Sequence, residues 1–218
     1  NFITKWNGAP DPLNFPLGLG VAADDSGNVY VSDSNNNRVM KFNSTGTLIM
    51  KWGSGGTGNG QFSVPRGIAV DTSGNVYVVD QNNRRIEKFT SSGTFITKWG
   101  SQGTGDNQFV GALDVAVDAG GSVYVADTFG GRIKKYTSEG TFIAKFGTGS
   151  FQPNALDVDG WGNVYAADGV NNRIEVFSPA SLADAIPPTA AIALWPAAAP
   201  PVTYSGAEGL ANLVKAGA

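Results

Sequence analysis

Four stretches of this chain are variations on one 22-residue theme. They read VAADDSGNVYVSDSNNNRVMKF (21–42), IAVDTSGNVYVVDQNNRRIEKF (68–89), VAVDAGGSVYVADTFGGRIKKY (115–136) and LDVDGWGNVYAADGVNNRIEVF (156–177). The anchoring aspartates Asp24, Asp71, Asp118 and Asp159 fall 47, 47 and 41 residues apart. The last step is shorter because the GSGGTGNGQF kind of loop shrinks to GTGSF after Phe146. A unit recurring at such a period cannot bury its apolar face alone and must stack on its neighbours, so the repeat fixes the architecture.

Within each copy the apolar pattern has the period of strands. An IAVD-like run ends in a tight turn at Gly27, Gly74, Gly121 and Gly162, where a hairpin needs glycine. NVYV, RIEKF and TFITKW follow as second, third and fourth strands, the last entered through Gly46, Gly93 and Gly140. Short hairpin-linked strands at this period predict an all-β fold, a β-propeller of four four-stranded blades. The fourth copy lacks a TFITKW equivalent after Phe177, whereas Phe2-Ile3-Thr4-Lys5-Trp6 matches Phe95–Trp99. The N-terminal strand is therefore expected to complete the last blade and to cover an edge that would otherwise invite pairing. The repeats run over about 16–53, 65–100, 112–147 and 153–177 plus 1–6, giving a propeller domain 1–177. The chain opens mid-repeat at Asn1 without a signal peptide, as expected of a processed chain or a piece of a longer one.

The succession Pro, Gly-Ile-Ala-Val-Asp, Gly-Asn-Val-Tyr-Val-x-Asp, then Asn-x-Arg-Ile and Phe, resembles the NHL repeat family over residues 1–177. That resemblance implies a β-propeller used mainly for recognition, of proteins and in some branches of RNA. It also implies the alternative of a lyase or lactone-type hydrolase with a metal in the central channel. Two features depart from the pattern. Four repeats are fewer than such propellers usually carry, and Gly130 stands in the third copy where the others have Asn.

Composition narrows the chemistry. There is no Cys and no His, which removes disulfides, thiolate metal sites and the commonest general base. The net charge of −3 supplies no field for a phosphate backbone, so nucleic acid is not an expected partner. No apolar run reaches membrane-spanning length. No catalytic residue, cofactor site or metal site is assigned, and the chain is expected not to be an enzyme.

The candidate sites follow from the repeat. The pairs Asp33–Arg38, Asp80–Arg85, Asp127–Arg132 and Asp168–Arg173 span each loop between second and third strands. Recurrence in every copy marks them as loop-ordering pairs, with a calcium-binding ring of the four aspartates as the alternative. The glycine-rich stretches 53–62 and 100–109 lack the Lys-Ser/Thr and helix of a phosphate loop. Their Phe62 and Phe109 are expected to wedge between sheets. Lys5, Lys51, Lys98 and Lys145 guard outer strands. Candidate binding-face residues are Asn36, Asn37, Arg66, Asn82, Asn83, Arg84, Phe129, Asn171 and Asn172, on the loops expected to share one face. Asn43-Ser44-Thr45 is a formal glycosylation acceptor.

From Ser178 to Ala218 the composition shifts to 13 Ala and 6 Pro in 41 residues, an Ala/Pro-rich tail or linker. Together these readings give a non-catalytic binding or assembly module, secreted or at the cell surface. It would recognise a protein or glycan partner or join copies into a homo-oligomer or filament. The rivals are a calcium-dependent propeller lyase or hydrolase and an RNA-binding propeller.

Overall fold

The computed structural model describes residues 20–147 and 150–179. The chain separates into two units, Asn1–Ala185 and Ile186–Ala218, and every described residue belongs to the first. The N-terminal strand Phe2–Trp6 and the tail beyond Pro179 lie outside the described residues. Among the described residues no helix is long and apolar enough to cross a membrane.

Each repeat folds into one antiparallel sheet whose strands follow in chain order. Blade 1 holds β1 (Val21–Ala23), β2 (Val29–Asp33), β3 (Arg38–Phe42) and β4 (Leu48–Trp52). Blade 2 holds β5 (Pro65–Val70), β6 (Val76–Asp80), β7 (Arg85–Phe89) and β8 (Phe95–Trp99). Blade 3 holds β9 (Asp114–Val117), β10 (Val123–Asp127), β11 (Arg132–Tyr136) and β12 (Phe142–Phe146). Blade 4 shows β13 (Pro153–Val158), β14 (Val164–Asp168) and β15 (Arg173–Phe177), three strands among the described residues. The register is the same throughout: Asp33↔Arg38, Asp80↔Arg85, Asp127↔Arg132 and Asp168↔Arg173 close the second hairpin of every blade. The architecture is an all-β propeller arrangement of four successive blades.

The first hairpin of each blade is held by the anchoring aspartate. Oδ2 of Asp24, Asp71, Asp118 and Asp159 accepts from the hydroxyl of Tyr30, Tyr77, Tyr124 and Tyr165 at 3.0, 3.0, 2.9 and 3.1 Å. Oδ1 accepts the backbone N–H of Asn28, Asn75, Ser122 and Asn163 four residues on. Burial pushes the Asp24 carboxyl up, but bonds from Asn28 and Tyr30 outweigh it and hold the group below its ordinary value. The motif is thus Asp-x5-Tyr, a turn tied to the strand it feeds.

Blades 1 to 3 each turn one face, here the front, toward the next blade. The front of blade 1 (Tyr30, Val39) packs on the back of blade 2 (Ile68, Val76, Val78, Phe89), with Phe62 wedged in the seam. Blade 2 repeats this on blade 3 through Tyr77, Val79, Ile86 and Trp99 against Val123, Val125 and Tyr136, with Phe109. Blade 3 does so on blade 4 through Tyr124, Ile133 and Phe146 against Val164 and Ala166, with Phe151. At the rim, Trp52, Trp99 and Phe146 meet Phe89, Tyr136 and Phe177 of the following blade at centroid distances of 5.9, 5.8 and 4.8 Å. Gly93 and Gly140 permit this: each has positive φ, and a Cβ there would lie 2.9 Å from the Trp52 ring and 2.5 Å from the Trp99 ring.

Lysines strap the seams. Lys41 lies 4.9 Å over the Tyr30 ring and donates to the Ser91 carbonyl of the next blade at 3.2 Å. Lys88 lies 5.2 Å over Tyr77 and donates to Ser138 O at 3.0 Å. Lys135 lies 5.1 Å over Tyr124. The matching residue of blade 4, opposite Tyr165, is Val176.

Candidate functional site

The loops joining second to third strands are built around the strand-ending aspartates, all fully buried or nearly so. Asp80 accepts the Ser63 N–H on Oδ1 at 2.6 Å and Arg85 Nε on Oδ2 at 2.8 Å. Asp127 accepts the Val110 and Gly111 N–H groups at 2.9 and 3.0 Å and Arg132 Nε at 3.0 Å. Asp168 accepts the Gln152 N–H at 3.0 Å, with Arg173 Nε at 3.3 Å. Arg38 Nε donates to Asp33 Oδ2 at 2.7 Å. Asp80, Asp127 and Asp168 therefore each tie their own loop to the chain entering the same blade. Among the described residues no three His, Cys, Asp or Glu side chains gather as a metal site would require.

The binding-face candidates divide into two groups. Asn36, Asn83 and Asn171 turn their amides inward, donating to Asp33, Asp80 and Asp168 Oδ2 at 2.9, 2.7 and 2.6 Å. Asn83 and Asn171 also reach Gly56 O and Ser150 O, each at 2.8 Å. These three are loop clamps. Gly130 takes this place in the third blade, where a Cβ would collide with Asp127 Oδ2. Asn37, Arg84 and Asn172 hold the left-handed position that ends each loop, with φ of 51, 56 and 52°. Asn37 Oδ1 also accepts the Val64 N–H at 2.8 Å. Arg66 Nε donates to Gln81 Oε1 at 2.7 Å, and exposed Asn82 leans its amide on Ser63 Oγ at 3.4 Å.

The outward-facing remainder is uneven. At the loop tip, where blades 1 and 2 carry Asn35 and Asn82, blades 3 and 4 carry Phe129, 57% exposed, and Val170, 48% exposed. The two flank a notch of about 390 Å³ lined by Thr128–Gly131, Ser150–Gln152 and Val170. The Phe129 ring and the Arg84 guanidinium both lie over Gly111, where a side chain would displace them. An aromatic, a cation and an aliphatic residue thus adjoin on one stretch of loop surface.

Beneath this surface the long loops entering blades 2 and 3 close over cations, a feature the sequence reading missed. Arg85 Nη1 donates to Thr57 O at 2.6 Å, and Nη2 to Gly58 O and Gln61 O at 2.9 and 2.7 Å. In blade 3 the same job falls to Lys134, whose Nζ donates to Gly105 O at 2.6 Å and to Gln108 O. Lys134 corresponds in register not to Arg85 but to Glu87, two residues on. Glu87 is fully buried, with Oε1 2.6 Å from Arg85 Nη2 and Oε2 accepting the Gly60 N–H at 2.9 Å. Burial pushes its carboxyl up to about 7 despite the guanidinium. Asp114 is likewise pushed up to about 6 by burial, with Oδ2 accepting the Leu156 N–H at 2.8 Å. The available signal was a charge at an inward strand position: Met40, Glu87, Lys134 and Glu175 align.

The NHL repeat profile matches residues 13–42 and 62–89. No curated protein matches the chain. Among solved structures, the chain is similar to a catalytically inactive virginiamycin B lyase from Staphylococcus aureus with quinupristin, at 14% identity and TM-score 0.61, over 77% of this chain and 54% of that one. Kuenenia stuttgartiensis hydrazine synthase superposes at 13% identity and TM-score 0.61, over 82% and 51%. A nidogen/laminin complex does so at 21% identity and TM-score 0.57, over 75% and 64%. The chain spans between 51% and 64% of the length of these three, and identities this low carry the fold alone. The chain is a β-propeller that carries NHL repeats matched at residues 13–42 and 62–89.

Proposed function

We propose that the chain is a non-catalytic protein-binding module, and that its partner seats on the loop surface around Phe129. One observation carries this. The loop tip is polar in blades 1 and 2 but becomes Phe129 and Val170 beside an open notch, with Arg84 adjoining. Exposed aromatics and arginines supply most of the energy at protein interfaces, whereas the buried Asp–Arg–Asn clusters hold the loops still beneath them. A small rigid scaffold with a variable tip is what recognition requires. The likeness to the fold in the nidogen/laminin complex agrees with this use of a propeller. A secreted or cell-surface setting is part of the proposal.

The test compares the chain with Phe129→Asn, which installs the residue type of blades 1 and 2. Proteins retained by the immobilised chain from the secreted fraction of its source cells should be lost by the variant at equal melting temperature. Equal retention would overturn the assignment of the loop surface. Retention of nucleic acid in its place would favour the RNA-binding reading, and a melting temperature lowered by chelator the calcium-dependent enzyme.

A further inference from the structure

Arg84 stands at a backbone position that does not suit an arginine. Three copies end the loop between second and third strands with Asn37, Gly131 and Asn172, at φ of 51, 64 and 52°. Asparagine and glycine adopt this left-handed conformation with little penalty. The second copy holds Arg84 there at 56°. Nothing in the loop needs the longer side chain, so the strain directs attention to what its guanidinium can reach. Arg84 and Arg66 also make no ion pair among the described residues, unlike Arg38, Arg85, Arg132 and Arg173, which each sit on a carboxylate. Arg66 donates instead to the neutral Gln81, which opens the loop that Arg84 ends, so both guanidinium groups attach to one loop. The glycine-rich stretch 53–62 holds no charge, and in 100–109 the one charge, Asp106, is taken up by Lys145 at 2.9 Å. An uncompensated positive patch thus sits on a chain of net charge −3. Beside it the surface turns apolar: Phe129 adjoins Arg84 over Gly111, and past Phe129 lies the notch whose other wall is Val170. Exposed Gln152 lines that notch with a side-chain amide.

Resting on the Phe129 surface as the partner's seat, we propose that it takes an acidic peptide segment. Carboxylates of the peptide lie on Arg84 and Arg66, and a neighbouring apolar side chain enters the notch between Phe129 and Val170. Each half of the surface needs the other. A notch of about 390 Å³ is at the low end of ligand pockets and by itself fixes little orientation. The guanidinium forks add direction, because each can hold a carboxylate through two parallel N–H···O bonds. The Phe129 ring keeps water from one side of such a pair at Arg84 and so strengthens it. An extended peptide advances about 3.3 Å per residue and sends alternate side chains to opposite faces. A carboxylate two residues from an apolar side chain therefore presents both to the same surface, about 7 Å apart. A phosphate backbone fits less well. It is held by a track of cations, and two guanidinium groups beside an apolar notch do not make one.

The experiment selects short random peptides displayed on phage against the whole chain. The leading peptide is then synthesised and its affinity measured at about 50 mM and about 200 mM salt. Enriched sequences should carry Asp or Glu two residues from an aromatic or aliphatic residue, and affinity should fall at the higher salt. Arg84→Asn installs the residue type of blades 1 and 4, so its melting temperature should equal or exceed that of the parent while affinity falls about tenfold or more. Arg66→Gln should weaken binding in the same direction at an unchanged melting temperature. No enrichment, enrichment of peptides without acidic residues, or an affinity that neither arginine variant moves would each overturn the inference. Retention of an oligouridine ahead of any peptide would overturn it in favour of RNA. Loss of binding on Phe129→Asn with none on Arg84→Asn or Arg66→Gln would keep the loop surface and remove the acidic peptide, so the two readings fail separately.

Discussion

Glu87 makes the folded chain sensitive to pH near neutrality, and the size of the effect follows from its surroundings. Its side chain is fully buried, shares the Arg85 guanidinium with Asp80, and has one hydrogen bond, from Gly60 N–H at 2.9 Å. In the unfolded chain the carboxyl gives up its proton near its ordinary 4.5, and in the folded chain only near 7. Below the lower value both states are protonated and the folded state has its full stability. Between the two, the unfolded state loses its proton first, so stability falls as pH rises, and above the upper value the loss is complete. A shift of this size corresponds to about 3 kcal/mol, a large part of what holds a domain together. Glu87→Gln stays neutral throughout, can still accept from Gly60, and leaves Arg85 its bonds to Asp80 and three carbonyls. The stability of the variant relative to the parent should therefore rise by about 3 kcal/mol between about pH 4 and about pH 8. Asp80 and Asp114 are also pushed up by burial, but they are present in both proteins and largely cancel in the difference. Urea denaturation at each pH gives the two curves. If their separation is independent of pH, the charged form of Glu87 is not disfavoured in the folded chain and the reasoning fails.

Lys134→Met places the blade 1 residue type in blade 3 and strips the donor from the carbonyls of Gly105 and Gln108. A loss of about 1–3 kcal/mol is expected, with faster amide exchange concentrated in residues 101–109. Exchange that quickens evenly across all blades would show that the lysine does not hold that loop. Tyr77→Phe removes one turn-to-strand bond and should cost about 1 kcal/mol by thermal or urea unfolding, and no cost would mean that Asp71 is satisfied without it.

Much of this fold was legible because it is written four times. Tandem copies fixed the strand pattern, and the turn glycines fixed its hairpins. The recurring Asp-x4-Arg marked the loops between second and third strands, where the structure places each Arg on its Asp. What single positions do inside that frame was less legible. The Asp-x5-Tyr bond was hidden because Tyr reads first as a β-forming core residue, and its hydroxyl partner is fixed only once the hairpin closes. The strap from Lys88 to Ser138 spans 50 residues, one repeat and a little more, and is set by blade stacking. The loop cage was harder still, since Arg85 and Lys134 do one job from two different positions. Among the loop asparagines, composition could not separate the inward clamps Asn36, Asn83 and Asn171 from outward Asn82. That distinction depends on backbone direction at the tip.

Among the described residues the seams join each blade to its neighbours: aromatic to aromatic at the rim, lysine to carbonyl across the gap. A chain held together in this way behaves as a row of coupled units, and the work of opening any one depends on how many neighbours it has. Among the described residues, blades 2 and 3 are clasped on both sides, whereas blade 4 is clasped on one and carries Val176 in place of the strap lysine. Unfolding should therefore start at blade 4 and travel toward the middle. A contact covering the exposed Ile174 and Val176 would then act on the last blade as a doorstop, slowing the loss of the entire row.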